Sequence, residues 1–233
     1  MQKQNNTSSS ESIHQKSKKW LIIVCFTIVI LIVFKNITNH KQFEFKNGDL
    51  IFQDLDSSPL CDGIEQVTAG FDNLDFSHIG IVIVINNKNY ILEAFTNGVD
   101  TIGIDEFLKR SYDENGKNKI IIGRLKDQYQ QLIPKAIKEG LELIGKKYDA
   151  EFLINNNKFY CSELIYEIFY SANNQQPFFS LQPMTYKVNN KTLPIWIDYF
   201  NKLNTPIPEG KKGINPGGIS LSKKIDIIYN YND

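Results

Sequence analysis

Two apolar runs around Asn86 constrain the fold more than any other part of this chain. Ile79 to Ile85 is β-branched apart from Gly80, Asn86 to Asn89 is a cluster of turn-forming residues, and Tyr90 to Phe95 is apolar again. Two such runs joined by a short polar turn predict a β-hairpin. A second, different period appears far downstream. In Phe159 to Ala172, the residues Leu164, Ile165, Ile168 and Phe169 recur at helical spacing, with Cys161 one turn earlier on the same face. A buried helix opening at Cys161 is therefore expected to pack on an antiparallel sheet, which makes the chain an α+β protein.

Shorter signals fill in the rest. Leu50 to Phe52 reads as a strand after the Gly48-Asp49 turn, and Cys61 to Ala69 as a helix. Asp105 to Arg110 reads as a short helix, Lys119 to Gly123 as a strand, and Tyr129 to Ile144 as an amphipathic helix stopped by Gly145. The prolines at 183, 194, 206 and 208 and the Gly213 to Gly218 run mark a loop-rich cap before a last strand at Ile225 to Tyr229.

The N-terminus reads as an address. Residues 1–19 form a polar tail that ends in lysines, and 20–34 is an uncharged apolar run of about fifteen residues, between the length of a secretory signal and that of a bilayer span. No small-x-small cleavage pattern follows, so an uncleaved transmembrane or signal-anchor helix is expected. Residues 35–46 are then a linker, and 47–233 a single domain on the extracytoplasmic side.

Composition narrows the chemistry. With 26 basic and 26 acidic residues the chain lacks the positive footprint that nucleic-acid binding requires, so a small or peptide-like substrate fits better. Three cysteines and three histidines do not make a Cys-x-x-Cys zinc site, and within the domain only Cys61, Cys161 and His78 remain. In an oxidising compartment Cys61 and Cys161 have the option of a disulfide. Cys61 otherwise reads as structural.

A thiol at a helix N-terminus beside an imidazole is the arrangement that generates a nucleophilic thiolate. Cys161 holds the first position and His78, at the mouth of its strand, can supply the second. Taken singly, a buried inert thiol and a satisfied core histidine are the better readings.

Four strings decide between those readings: Gly48 to Phe52, Ser77 to Val82, Ile91 to Ala94, and Phe159 to Ile165. In this order they resemble the circularly permuted papain-like hydrolases of the YiiX and YaeF type, relatives of the NlpC cell-wall peptidases, from about Asn47 to the end. In that family the histidine hairpin precedes the cysteine helix. The resemblance implies Cys161 as nucleophile, His78 as base and Glu93 as the group that orients the imidazole, with no metal or organic cofactor. It also implies a substrate amide, in cell-wall peptides or similar molecules, or alternatively lipid-directed acyl chemistry at the membrane, or a non-catalytic ligand-binding module on the same fold. Tyr148 and Tyr160 resemble elements near the oxyanion or substrate site of the cell-wall peptidases, and ordinary packing explains either equally well.

Glu93 carries a geometric difficulty. A hairpin that turns symmetrically about Asn87 and Lys88 puts Glu93 opposite Val82, on the sheet face of His78 but about 13 Å along the strand from it. A slipped turn or a bulge would be needed to join them. In that register Asn97 lies opposite His78 and is the second candidate for orienting the ring, and Glu93 is left as a solvent-facing carboxylate.

Overall fold

Residues 43–230 are described by a computed structural model of the chain. The polar tail, the apolar run at 20–34, Cys25, His14, His40 and most of the linker lie outside the described residues. A compact unit begins at Phe45. Among the described residues no helix is long and apolar enough to cross a membrane.

The chain enters β1 (Leu50–Gln53) and then α1 (Pro59–Glu65). The hairpin strands are β2 (His78–Ile85) and β3 (Lys88–Phe95), followed by β4 (Gly98–Gly103) and α2 (Ile104–Lys109). Next come β5 (Ile120–Leu125), α3 (Ile133–Glu142) and α4 (Cys161–Ala172). The C-terminal part holds α5 (Pro194–Leu203), α6 (Pro216–Ser220) and β6 (Ile225–Asn230). The six strands form one sheet in the order β6-β5-β1-β2-β3-β4 with antiparallel neighbours.

Both faces of the central strands are covered, which is why β2 lacks the polar alternation of a half-solvated strand. On one face Phe52, Ile79, Ile81, Leu92 and Ala94 join a core with Ala136 of α3 and with Leu164, Ile165, Ile168 and Phe169 of α4. The helical stripe seen in the sequence is thus the buried one, all four of its residues having no solvent exposure. On the other face α2 lies against Gly80, where an added Cβ would come 2.3 Å from Ile91 and 3.2 Å from Phe107. A side chain at position 80 would push α2 off the sheet.

The hairpin turn differs from the symmetric expectation. Asn86 and Asn87 both adopt positive φ, 50° and 59°, which is the conformation of a two-residue turn whose twist matches the strands. The closing pair is Ile85 with Lys88, and Ile81 pairs with Leu92. The partners of β3 therefore slide two residues toward the start of β2, so that Glu93 comes level with Gly80 rather than Val82. The expected face was right and the expected separation was not.

Other departures have local causes. The first helix starts earlier, at Pro59, and stops at Glu65 instead of Ala69. The stretch expected as one helix from Tyr129 splits into a 3-10 segment, Asp127–Leu132, and α3, with Pro134 in the first turn of α3. Strand β4 and helix α5 were not expected at all. Proline opens α5 at its first position, so the residue read as a loop marker is a helix starter.

Candidate active site

The site forms where the start of β2 meets the N-terminus of α4. Ser77 ties that end of β2 to β1, its N–H donating to the Gln53 carbonyl at 3.0 Å and its hydroxyl accepting from Leu55 N–H at 3.0 Å. Gln53 is the cross-strand partner of His78. Its buried amide donates to the Phe107 carbonyl at 2.8 Å and to Ser111 Oγ at 3.2 Å, which anchors the end of α2 beside the histidine. The imidazole is wedged between Phe95, 5.0 Å away edge-on, and Phe107, at 5.7 Å.

In this wedge His78 Nε2 and Glu93 Oε2 are 2.6 Å apart. The slipped hairpin register makes the contact possible, because it leaves the two residues diagonal neighbours on one sheet face. Asn97 lies exposed in the β3–β4 turn. Glu93 is 3% exposed and is neither solvent-facing nor singly paired. Arg110, just past α2, donates from one guanidinium nitrogen to both its oxygens, at 2.7 and 2.9 Å. The same guanidinium lies 4.3 Å over the Phe95 ring. Sequence reasoning missed Arg110, since an arginine seventeen residues from a glutamate carries no motif.

Electrostatics follow from this packing. Burial disfavours the imidazolium, but hydrogen bonding and electrostatic interaction with the Cys161 and Glu93 side chains outweigh it, and His78 is pushed up to about 9. Burial likewise opposes ionisation of Glu93, yet His78 and Arg110 hold its carboxyl below the ordinary carboxylate range. Cys161, His78 and Glu93 are thus brought together as an interacting set, with Cys161 a free, buried thiol. Cys61 is also free, and its sulfur lies 3.5 and 3.6 Å from the Ser57 and Ser58 hydroxyls. No disulfide joins the two.

Cys161 opens α4 after Tyr160, whose extended backbone (φ −92°, ψ 169°) makes it the N-cap. The Tyr160 N–H donates to Glu163 Oε2 at 3.4 Å, half of a capping box. Burial and the nearby Asp149 push Glu163 up to about 8. The Tyr160 phenol accepts from Ile214 N–H at 3.1 Å, so it is occupied in joining the C-terminal Gly-rich segment to the helix start. Ser162 reinforces the same joint by donating to the Ile214 carbonyl at 3.0 Å.

Tyr148 is held from two sides. Gly145 and Lys146 pair with Val99 at the edge of β4, and Lys147 and Asp149 pair with Phe159, two residues before the cysteine. Gly98 permits the first contact: its φ is +107°, and a Cβ there would come 2.1 Å from the Lys146 carbonyl. Burial, and after it the neighbouring Cys161, push the Tyr148 phenol well above its ordinary range, so it is a proton donor at neutral pH.

Cys161 and Tyr148 border a narrow apolar cleft with about 40 Å³ of internal room, walled by residues such as Ile64, Val67, Phe152, Met184, Trp196 and Ile214. No lining residue is charged. Helix α5, absent from the sequence expectation, supplies Trp196 to this wall.

Known proteins fit this picture. The chain is 29% identical over 129 residues to YiiX of Escherichia coli K12, a protein described as uncharacterized, over 54% of this chain and 58% of that protein. It thus matches little more than half the length of that relative. The fold matches a crystal structure described as metalloprotein YiiX of Escherichia coli O157:H7, with a TM-score of 0.67 and 20% identity, covering 81% of this chain and 98% of that one. The family model of permuted papain-like amidase enzymes, YaeF/YiiX, C92 family, matches residues 44–229, and the chain belongs to that family.

Proposed function

We propose that this protein is a cysteine amidase in which Cys161 is the nucleophile, His78 the general base and Glu93 the group that orients the imidazole. The observation that carries the reading is the buried His78–Glu93 contact of 2.6 Å, with Cys161 interacting with the same imidazole. Glu93 engages Nε2, which leaves Nδ1 for the thiol. His78, raised to about 9, holds the proton given up by the thiol while sulfur adds to the amide carbonyl carbon, and delivers it to the departing amine nitrogen. Water, deprotonated by the same ring, then cleaves the thioester and releases the acid. The oxyanion is held by the Cys161 N–H at the start of α4 and by the Tyr148 phenol.

The uncharged, apolar cleft favours an amide whose acyl group is itself apolar. Cell-wall stem peptides carry carboxylates, and a cleft without a cationic side chain gives those no partner. The solved YiiX structure is described as a metalloprotein. Among the described residues no group of three His, Cys, Asp or Glu side chains is placed to hold a metal, so the donor set does not fit and no step runs through one. An anchor at 20–34 would put the domain on the extracytoplasmic side. Hydrolysis of long-chain N-acyl amides and of muropeptides by the full chain tests the reading. Turnover of the acyl amides, lost in Cys161→Ala, is expected. Turnover that survives Cys161→Ala removes the mechanism, and cleavage of muropeptides alone removes the apolar-acyl assignment.

A further inference from the structure

Arg110 is the cation that completes this constellation. Its guanidinium reaches Glu93 from the end of α2 and rests on the ring of Phe95, itself packed edge-on against His78. An exposed arginine paired with an exposed carboxylate contributes little. Here the carboxylate is 96% buried at its side chain and touches the imidazole at 2.6 Å. A buried carboxylate with two free oxygens has more than one rotamer that satisfies it, and only one of them presents Oε2 to His78 Nε2. A donor gripping both oxygens removes that freedom.

We propose that Arg110 is a positioning residue for the reaction: by gripping both oxygens of Glu93 it keeps that carboxylate turned toward His78, and so holds the imidazole in place for Cys161. The inference rests on the assignment of Cys161 and His78 above. The groups facing Glu93 are His78 from β2, Arg110 from the end of α2, and Asp100, its cross-strand partner on β4, whose exposed carboxylate accepts from Thr101 N–H. Cys161 of α4 interacts with the same imidazole. Arg110 is the cation of fixed charge in this group. Without it, His78 alone opposes the effect of burial, and Glu93 takes up a proton at higher pH.

The test is the rate of iodoacetamide alkylation at Cys161 against pH, read by peptide mapping in the full chain, for wild type, Arg110→Met and Arg110→Lys. Arg110→Met is expected to lower the plateau rate tenfold or more and to move the acid limb upward by a pH unit or more. Arg110→Lys is expected to return the acid limb to its wild-type position, because charge is restored, while the plateau stays reduced, because a flexible lysine lacks the planar guanidinium that rests on the Phe95 ring and fixes the donor over both oxygens. A purely structural arginine would not move the acid limb. A wild-type profile in Arg110→Met, or full recovery of the plateau in Arg110→Lys, overturns the proposal. If Arg110→Met does not fold, the Arg110→Lys plateau alone decides. A wild-type Cys161 no faster than free cysteine refutes the underlying site assignment instead.

Discussion

Glu93→Gln removes the carboxylate charge beside His78 with almost no change in shape. In the folded protein His78 is pushed from 6.5 up to about 9, which is worth about 3 kcal/mol in favour of the protonated ring. Burial works against this, and Cys161 and Glu93 supply it jointly. Without the Glu93 charge, burial and Cys161 remain, and the imidazolium faces the Arg110 guanidinium with no anion between them. The ring's pKa is expected to fall by at least one pH unit, a tenfold or greater loss of proton affinity. The sign carries to stability. A histidine raised from 6.5 to about 9 contributes stability that is complete below pH 6.5 and is lost as pH rises through about 9. Glu93→Gln should shrink that alkaline loss. The assay is a ¹H–¹⁵N NMR titration of the three histidine rings of the full chain, paired with thermal melts from pH 6 to 10. A His78 that still titrates near 9 in Glu93→Gln would refute the claim that this carboxylate sustains the imidazolium.

Three further substitutions probe other parts of the site. Tyr148→Phe removes a phenol kept protonated beside Cys161, and should lower kcat by about 100-fold with KM little changed, as loss of an oxyanion donor does; an unchanged kcat would return Tyr148 to ordinary packing. Glu163, raised by burial to about 8, binds its proton more tightly folded than unfolded, so it costs stability increasingly as pH rises from about 4.5 to 8. Glu163→Gln should therefore raise Tm at pH 8 but not at pH 4, and equal gains at both would contradict the assignment. Gly98→Ala forces a positive-φ backbone and a 2.1 Å clash with Lys146, and should cost about 1–3 kcal/mol in denaturant melts while lowering the reactivity of Cys161 through the displaced Tyr148 loop; a melt like that of wild type would show that the loop relaxes freely.

Local order was legible in the residues themselves. The strand period around Gly80 and the helical stripe behind Cys161 are set by short-range sterics and by which side chains water rejects, so pattern alone places them. Motif order went further and indicated His78, Glu93 and Cys161 as a set. What pattern could not deliver was register and convergence. Whether Glu93 meets His78 depends on Asn86 and Asn87 both entering the left-handed region, a choice worth little locally and decided by the twist of the strands they join. Arg110 and Trp196 reach the site on helices whose docking follows from side-chain packing across the sheet and the cap, over separations in the chain at which neither residue leaves a periodic signal. Tertiary structure decided these because the free energy that selects them comes from contacts between elements, and no single element contains it.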